Sequence, residues 1–214
     1  MGFSEELESL LPDDVPHREE IIGKCARHLD LIVEANQHFN LTRITDAREA
    51  AIKHVVDSVM PWRLFVSAAS ILDAGTGAGF PGIPLAIALP TVDFTLCESV
   101  GKKARFVEST VKYLGLANVN VLARRAEEIL KMKRVDLITA RAVAPVSRAL
   151  DLFFPALKQG SRVILYKGRD AEAEVREAEP ALRQRRVSAR IVDRYELPDS
   201  LGSRAMVEMI LLHR

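Results

Sequence analysis

Apolar and polar positions follow two different patterns along this chain, and the change falls near residue 65. In the first part, apolar residues recur at helical spacing over residues 17–39 and again over residues 46–60. Asp46 has the residue type of an N-cap, and Glu49 follows three residues later. The pattern predicts an N-terminal helical subdomain over residues 1–65.

From Ser70 onward, short apolar runs alternate with helical patterns. The predicted strands are 71–74, 93–98, 119–122, 135–140, 162–166, 187–195 and 205–212. The predicted helices are 83–89, 101–114, 125–131, 145–157 and 171–184. Such alternation predicts a mostly parallel sheet with helices on both faces. The last two strands have only a short connection at 198–203, so we expect them to be antiparallel.

A glycine-rich stretch, DAGTGAGFPG at residues 73–82, joins the first predicted strand to the helix that follows it. Glycines permit a tight turn and a close approach of the backbone to a ligand. The start of the helix offers free N–H groups and a partial positive charge. Strand, glycine loop and helix in this order predict a cradle for a nucleotide-like cofactor.

Two glycine registers overlap in this loop, and they suggest different cofactors. Gly77, Gly79 and Gly82 fit the dinucleotide pattern G-x-G-x-x-G, whereas Asp73 followed by Gly75, Gly77 and Gly79 fits the D-x-G-x-G-x-G pattern of S-adenosylmethionine (SAM) enzymes. A carboxylate at Asp73 would repel the pyrophosphate of NAD. SAM has no pyrophosphate and carries an ammonium group and a cationic sulfur. The loop therefore favours SAM.

Residues after the next two strands extend this cofactor site. Glu98 ends the second strand, 19 residues after Gly79, and its two oxygens can accept both hydroxyls of a ribose. Ala126 and Glu127 follow the third strand beside the same crevice. They can contact an adenine edge, or Glu127 can simply favour the first helical turn. The residues alone leave both readings open.

The segment after the fourth strand begins with Arg141, where many SAM enzymes carry their chemistry. It contains neither the Asn/Asp-Pro-Pro-aromatic motif of amino-group methylases nor a nucleophilic cysteine, since Cys25 and Cys97 lie elsewhere. We expect Cys97 to be a buried apolar residue. Arg141 suits a phosphate, a carboxylate or the purine edge of guanine, although a surface salt bridge is the simpler alternative.

Charge and composition narrow the class of protein. The net charge is +1, but residues 1–64 hold 7 Lys and Arg against 12 Asp and Glu, so the part with the glycine loop is basic. This asymmetry permits a polyanionic partner. The two cysteines have no metal or redox spacing, and no run of 18 apolar residues occurs. We expect a cytoplasmic protein without a metal ion or a membrane span.

Residues 73–87 closely resemble the RsmG (GidB) family. Shorter matches in the same order are Phe39-Asn40-Leu41-Thr42, His54-x-x-Asp57-Ser58, Glu98-Ser99 with Lys102-Lys103, Arg125-Ala126-Glu127, Arg141-Ala-Val-Ala144 and Lys167-Gly168. Seven predicted strands ending in an antiparallel hairpin are typical of a Rossmann-like class I methyltransferase, so we expect such an α/β domain over residues 66–214, and the resemblance implies that it is SAM-dependent. The resemblance also implies methylation of guanine N7 in bacterial 16S rRNA, near the decoding centre of the small subunit.

The cofactor-binding residues follow partly from the glycine loop and partly, by motif match, from the resemblance. The cofactor-binding positions, together with those of the glycine loop, are Asp73, Gly75, Gly77, Gly79, Phe80, Glu98, Ala126, Glu127 and Arg141. We expect Arg141 and Lys167 to position the reactants without acting as a general base. The basic residues Lys102, Lys103, Arg124 and Arg125 are, independently of the resemblance, candidate contacts to RNA, although a solvated helix face is the simpler alternative for any single cluster. His54 is a further candidate contact, although it can equally be a core histidine.

Other functions stay open at this stage. A SAM enzyme acting on a small molecule would use the N-terminal helices as a lid over its pocket. A SAM enzyme acting on another RNA is also open. An NAD-dependent oxidoreductase would use the other glycine register, but no hydride-site acid or base is identifiable. A binding module without catalysis would not need an intact loop with Glu98. We expect a monomer, because no coiled-coil heptads occur.

Overall fold

A computed structural model describes residues 2–44 and 46–212 of the protein, and the described part of the first 65 residues is mainly helical. The helices are α1 (Phe3–Leu10), α2 (Arg18–Asn36), α3 (Ala47–Ala50), a π-helical segment (Ala51–Val56) and α4 (Asp57–Val59). Asp46 caps α3 by accepting a hydrogen bond from the Glu49 N–H at 2.8 Å, as predicted. Helix α1 was not predicted from the sequence.

The rest of the described chain alternates strands and helices. The strands are β1 (Ser70–Ala74), β2 (Asp93–Cys97), β3 (Val119–Leu122), β4 (Leu137–Arg141), β5 (Arg162–Lys167), β6 (Val187–Glu196) and β7 (Ser203–Leu211). The helices are α5 (Gly82–Ala88), α6 (Gly101–Tyr113), α7 (Ala126–Leu130), α8 (Val146–Leu157) and α9 (Ala171–Arg185). Each lies close to its predicted position.

One seven-stranded sheet has the order β3-β2-β1-β4-β5-β7-β6. Strands β1 to β5 pair in parallel, and β7 is antiparallel to both β5 and β6. The predicted antiparallel hairpin and the mostly parallel sheet are therefore confirmed. The short link between β6 and β7 explains the geometry, because a parallel pair needs a long crossover.

Neighbouring residues of each strand point into different cores, one on each face of the sheet. Ile71 belongs to a core shared with α2, α5 and α6, whereas Leu72 belongs to a core shared with α7, α8 and α9. The N-terminal helices thus pack on the sheet through a common apolar core. A division of the chain at residue 65 stays a prediction. None of the described helices has the length and hydropathy that a membrane span requires.

A local difference from the predicted structure lies at residues 51–56. The sequence predicts one regular helix over residues 46–60, but its middle is a π-helix. The Asp57 N–H reaches back five residues to the carbonyl of Ile52, rather than four residues to that of Lys53. Wide turns of this kind occur frequently at functional sites.

The shared core predicts how the N-terminal helices contribute to stability. Leu29 of α2 is 1% exposed, so Leu29→Ala should lower the free energy of unfolding by about 2–5 kcal/mol. Val33, one turn further along, is 46% exposed, and Val33→Ala should change it by about 0.5 kcal/mol or less. Urea unfolding followed by far-UV circular dichroism measures both. A separate early transition of the helices in Leu29→Ala would contradict a shared core.

Candidate functional site

The predicted site residues lie at the edge of the sheet where the parallel strands end. The strand order reverses between β1 and β4, because β1 is followed by β2 on one side while β4 lies on the other. Crevices at such reversal points, outside the carboxyl ends of the strands, are where open α/β sheets bind ligands. The glycine loop between β1 and α5 lies at this point.

Internal hydrogen bonds shape the glycine loop. The N–H groups of Gly75 and Thr76 both donate to the carbonyl of Cys97 on β2, at 2.9 and 3.0 Å. Gly77 has a φ of +62°, and a Cβ built on it meets no atom within 4 Å. Gly79, in contrast, would place a Cβ 2.6 Å from Ile83 Cδ1. Gly77 therefore borders open space, while Gly79 is packed against the protein.

Asp73 lies beneath the loop and is fully buried. Its Oδ2 accepts hydrogen bonds from Thr76 Oγ1 at 2.6 Å and from the Gly82 N–H at 2.9 Å, whereas Oδ1 is buried without a partner. Burial raises the pKa of Asp73 to about 6. The predicted direct contact with a cofactor needs correction, since this carboxylate shapes the loop from below and has no surface on the crevice.

Glu98 binds the glycine loop at Gly77, the position that borders open space. Its Oε2 accepts from the Gly77 N–H at 3.1 Å, and its Oε1 accepts from the Val100 N–H at 2.8 Å. Each carboxylate oxygen keeps a second lone pair for a further donor. Glu98 directly follows β2, close to its predicted position at the end of this strand, and it lies beside Gly77. Binding of a ribose there stays a prediction.

One cleft opens on the β2 and β3 side of this edge and is called the first cleft. It has a volume of about 280 Å³ and is lined by residues that include Gly75, Ser99, Arg125, Ala126, Glu127 and Val143. Exposed Arg124 also borders it. The structure thus brings the predicted loop residue Gly75 together with predicted residues that follow β3.

A second cleft of about 530 Å³ opens beside β4 and β5, against the N-terminal helices. Its lining includes Lys53, His54, Asp57, Arg141, Lys167 and Arg204. The two predicted positioning residues, Arg141 and Lys167, therefore share this second cleft. Ala142 lines it as well, while the next residue, Val143, lines the first cleft, so the two clefts flank one segment.

Both positioning candidates are held by the protein. Arg141 Nη1 donates to the carbonyl of Lys53 at 3.0 Å and to Asp57 Oδ2 at 3.1 Å. Lys167 Nζ donates to the carbonyl of Ala144 at 2.6 Å and pairs with Glu174 Oε2 at 2.7 Å. Arg141 is thus no ordinary surface salt bridge, because its partner Asp57 is buried.

Phe80 of the glycine loop lies between two histidines of the N-terminal helices. Its ring stacks on His28 at 4.6 Å and on His54 at 4.7 Å between centroids. His28 Nε2 donates to the carbonyl of Ala78 at 2.8 Å. Burial lowers the pKa of His28 to about 4; burial and then the Arg141 charge lower that of His54 to about 3. Both rings are therefore neutral near pH 7.

This stack bears on the predicted cofactor contact of Phe80 and on the predicted RNA contact of His54. Phe80 is 5% exposed and its ring stacks on both histidines, so the ring has little surface left for a cofactor. His54 brings no positive charge to RNA; its Nε2 lies 3.1 Å from Thr42 Oγ1. The core-histidine alternative describes its packing on Phe80, although part of it lines the second cleft.

Lys102 and Lys103, in the first turn of α6, line neither cleft. No role is predicted from the sequence for His28, Asp57, Tyr195 or Arg204. Asp57 carried a signal in the sequence, because it belongs to the short match His54-x-x-Asp57-Ser58. Within the described residues, no group of three or more His, Cys, Asp or Glu side chains could hold a metal ion.

The raised pKa of Asp73 predicts a pH dependence of stability. Between the unfolded pKa of 3.8 and the folded pKa of about 6, the folded state retains a proton that the unfolded state has lost. Stability from this group is full below the lower pKa and is lost as pH rises through about 6, by at most about 3 kcal/mol. Asp73→Asn, which keeps an acceptor for Thr76 and Gly82, should lack this loss.

Urea unfolding from pH 4 to 7 tests the Asp73 prediction. The variant should gain stability relative to the wild type as pH rises. A difference that is independent of pH would contradict a shifted Asp73.

Comparison with known proteins places this geometry in a family. Residues 21–199 match the GidB family, described as rRNA small subunit methyltransferase G. The chain is 62% identical over 209 residues to a ribosomal RNA small subunit methyltransferase G of Solibacter usitatus (strain Ellin6076), covering 98% of this chain and 100% of that protein. A protein with the same description from Trichormus variabilis (strain ATCC 29413 / PCC 7937) is 39% identical over 180 residues, covering 79% of this chain and 74% of that protein.

Solved structures support the fold. The O-methyltransferase TomG from Streptomyces achromogenes, in complex with SAM, superimposes with a TM-score of 0.58 at 17% identity, covering 95% of this chain and 92% of that chain. The B. subtilis M1A22 tRNA methyltransferase TrmK gives a TM-score of 0.57 at 17% identity, covering 75% of this chain and 68% of that chain. The predicted class I methyltransferase fold is thereby confirmed. Because the family match spans most of its length, the chain belongs to the GidB family of rRNA small subunit methyltransferases G.

Proposed function

We propose that the protein transfers a methyl group from SAM to N7 of one guanosine in bacterial 16S rRNA, within the small ribosomal subunit. The observation that carries the proposal is the GidB match over residues 21–199, which includes the glycine loop and most residues of both clefts. The first cleft is the proposed cofactor site. The second cleft is the proposed site of the acceptor nucleotide.

The residues around the first cleft fit SAM. Gly77 leaves open space where a side chain would otherwise stand, so the loop backbone can approach the cofactor closely. Glu98 lies beside Gly77 with lone pairs for ribose hydroxyls, and Ala126 and Glu127 line the cleft where an adenine edge would lie. When bound there, SAM supplies a methyl group on a cationic sulfur.

The chemistry at guanine N7 makes few demands on the protein. N7 has a lone pair in the ring plane and no proton to lose, so its attack needs no general base. The new N–CH₃ bond forms as the S–CH₃ bond breaks, and the electron pair of that bond stays on sulfur. The protein contributes by orienting the two reactants in line. Neither a proton acceptor nor a metal ion is required.

Arg141 and Lys167 are proposed to position the reactants. A cation bound directly to N7 would occupy the lone pair that must attack, so these side chains should bind the guanine O6, a phosphate or the cofactor instead. Their anchoring to Lys53, Asp57, Ala144 and Glu174 restricts their movement before the substrate arrives. The effect of either residue should thus fall mainly on the alignment of the reactants.

Exposed cations near the cofactor cleft are proposed to bind the RNA backbone. Arg124 and Arg125 follow β3 and border the first cleft. Lys102 is exposed in the first turn of α6, four residues after Glu98 in the chain, and Lys103 is half-buried in the same turn. Contacts of this kind make affinity fall steeply with salt. We further propose that the protein acts in the cytoplasm, as a monomer, and without a metal ion.

Methylation of a small molecule or of another RNA is the alternative. The basic lining of the second cleft favours a polyanion, because Lys53, Arg141, Lys167 and Arg204 outnumber Asp57 and Glu174 there. The membership of the chain in an rRNA methyltransferase family also weighs against an oxidoreductase that uses NAD.

The proposed reaction predicts a single modified position. Small subunits from a bacterium that lacks this modification are incubated with the protein and radiolabelled SAM, and the RNA is then cleaved chemically at N7-methylguanosine. Label should enter 16S rRNA at one guanosine. Free 16S rRNA and a mixture of small metabolites serve as parallel substrates. Label on adenine or cytosine, or on metabolites alone, would contradict the proposal.

The proposed cofactor site predicts the effect of Glu98→Gln. The amide cannot accept at both positions that now bind the Gly77 and Val100 N–H groups, so the affinity for SAM should fall about tenfold, or about 1.4 kcal/mol. Asp93→Asn is the matched control, because Asp93 is exposed at the opposite end of the same strand. Isothermal titration with SAM measures both. Equal affinities in the two variants would argue against Glu98 as a cofactor residue.

A further inference from the structure

Asp57 is a buried carboxylate with cations on both sides. It is 1% exposed, and its Oδ2 accepts from Arg141 Nη1 at 3.1 Å. Its Oδ1 accepts from Arg204 Nε and from the Tyr195 hydroxyl, both at 3.0 Å. A carboxylate removed from water needs such partners to stay charged. Asp57 thereby joins the N-terminal helices to β4, β6 and β7.

Arg141 is held by only one of its nitrogen atoms. Nη1 donates to the Lys53 carbonyl at 3.0 Å, to Asp57 at 3.1 Å and, more weakly, to Ser58 Oγ at 3.5 Å. Among the described residues, Nε and Nη2 have no hydrogen-bond acceptor. A guanidinium has donors on all three nitrogens in a rigid fork, so anchoring one corner orients the other two. Arg141 lines the second cleft, where a ligand can reach these donors.

The π-helical segment supplies the second anchor of Arg141. In a regular helix, the carbonyl of Lys53 would accept from the Asp57 N–H, four residues later. Here that N–H donates to the carbonyl of Ile52 instead. The Lys53 carbonyl is thereby released from this bond, and Arg141 Nη1 donates to it. The Lys53 carbonyl and the Asp57 carboxylate, on neighbouring turns, thus accept hydrogen bonds from the same nitrogen of Arg141.

We propose that Asp57 is a positioning residue for methyl transfer, acting through Arg141. It fixes Arg141 by Nη1 so that Nε and Nη2 meet the acceptor nucleotide in the second cleft. This inference rests on the proposed function, because it needs an acceptor in that cleft. Asp57 itself touches neither reactant. A residue that merely tied the helices to the sheet would affect stability and leave the effect of Arg141 unchanged.

A double-mutant cycle tests whether Asp57 acts through Arg141. The proteins are the wild type, Asp57→Asn, Arg141→Gln and the double variant, assayed for kcat and KM on unmethylated small subunits. Misplacement of a positioning group typically costs up to about 10²-fold, so Asp57→Asn should lower kcat/KM roughly tenfold to a hundredfold. The double variant should be no slower than Arg141→Gln alone. Losses that multiply would overturn the inference.

Tyr195→Phe is the matched control for stability. It removes a hydrogen bond from the other oxygen of the same carboxylate but leaves the contact between Oδ2 and Arg141. Tm should fall, while kcat/KM stays within about threefold of the wild type, because orientation of Arg141 does not depend on this hydroxyl. If kcat/KM in this control fell as far as in Asp57→Asn, general loosening of the buried site would explain the effect.

Chemical rescue gives a readout that folding alone does not change. In Arg141→Gly, added guanidinium ion at a concentration well below that which unfolds the protein should restore part of the activity, since Asp57 can hold the free ion. The same addition should not rescue the double variant Arg141→Gly with Asp57→Asn, and urea at the same concentration should rescue neither. Rescue that does not depend on Asp57, or no rescue in Arg141→Gly, would contradict the inference. A wild type that methylates no RNA would instead refute the proposed function.

Discussion

The stacking of Phe80 between two neutral histidines is the constraint on which the site depends. The glycine loop alone has many accessible conformations, but Phe80 anchors it to α2 through His28 and to the π-helical segment through His54. Aromatic stacking of this kind contributes about 0.5–1.5 kcal/mol for each pair beyond area burial. The N-terminal helices therefore hold one side of the loop, and Asp73 holds it from beneath.

Electrostatics explain why the histidines suit this position. Arg141 lies near the same ring, with its Cζ 5.7 Å from the Phe80 centroid, so a protonated histidine beside it would add repulsion. Burial together with this charge keeps His54 neutral near pH 7. The buried Asp57 and Glu174 neutralise only part of the positive charge of the second cleft, so an excess of positive charge remains beside the ends of β4 and β5.

Particular residues show where prediction from the sequence succeeded and where it did not. The strands and helices after residue 70 were predicted closely, because each carries its own apolar period and its own turn residues. Helix α1 was missed, since acidic residues break its short apolar pattern. The π-helical segment was also missed, because its carbonyl at Lys53 is used by a residue 88 positions away. The pattern of apolar and polar residues within a segment does not indicate a partner so distant along the chain.

The sequence by itself determined the sheet, the glycine loop and the family, because these follow from local periodicity and from a contiguous motif. Tertiary structure decided which residues face the clefts. Asp73 and Phe80 stand in the same motif as Gly77, yet only Gly77 borders open space, since Thr76, Gly82, His28 and His54 surround the other two. Likewise, Asp57 became the anchor of Arg141 only through contacts between distant segments, whose energies depend on burial and distance rather than on spacing along the chain.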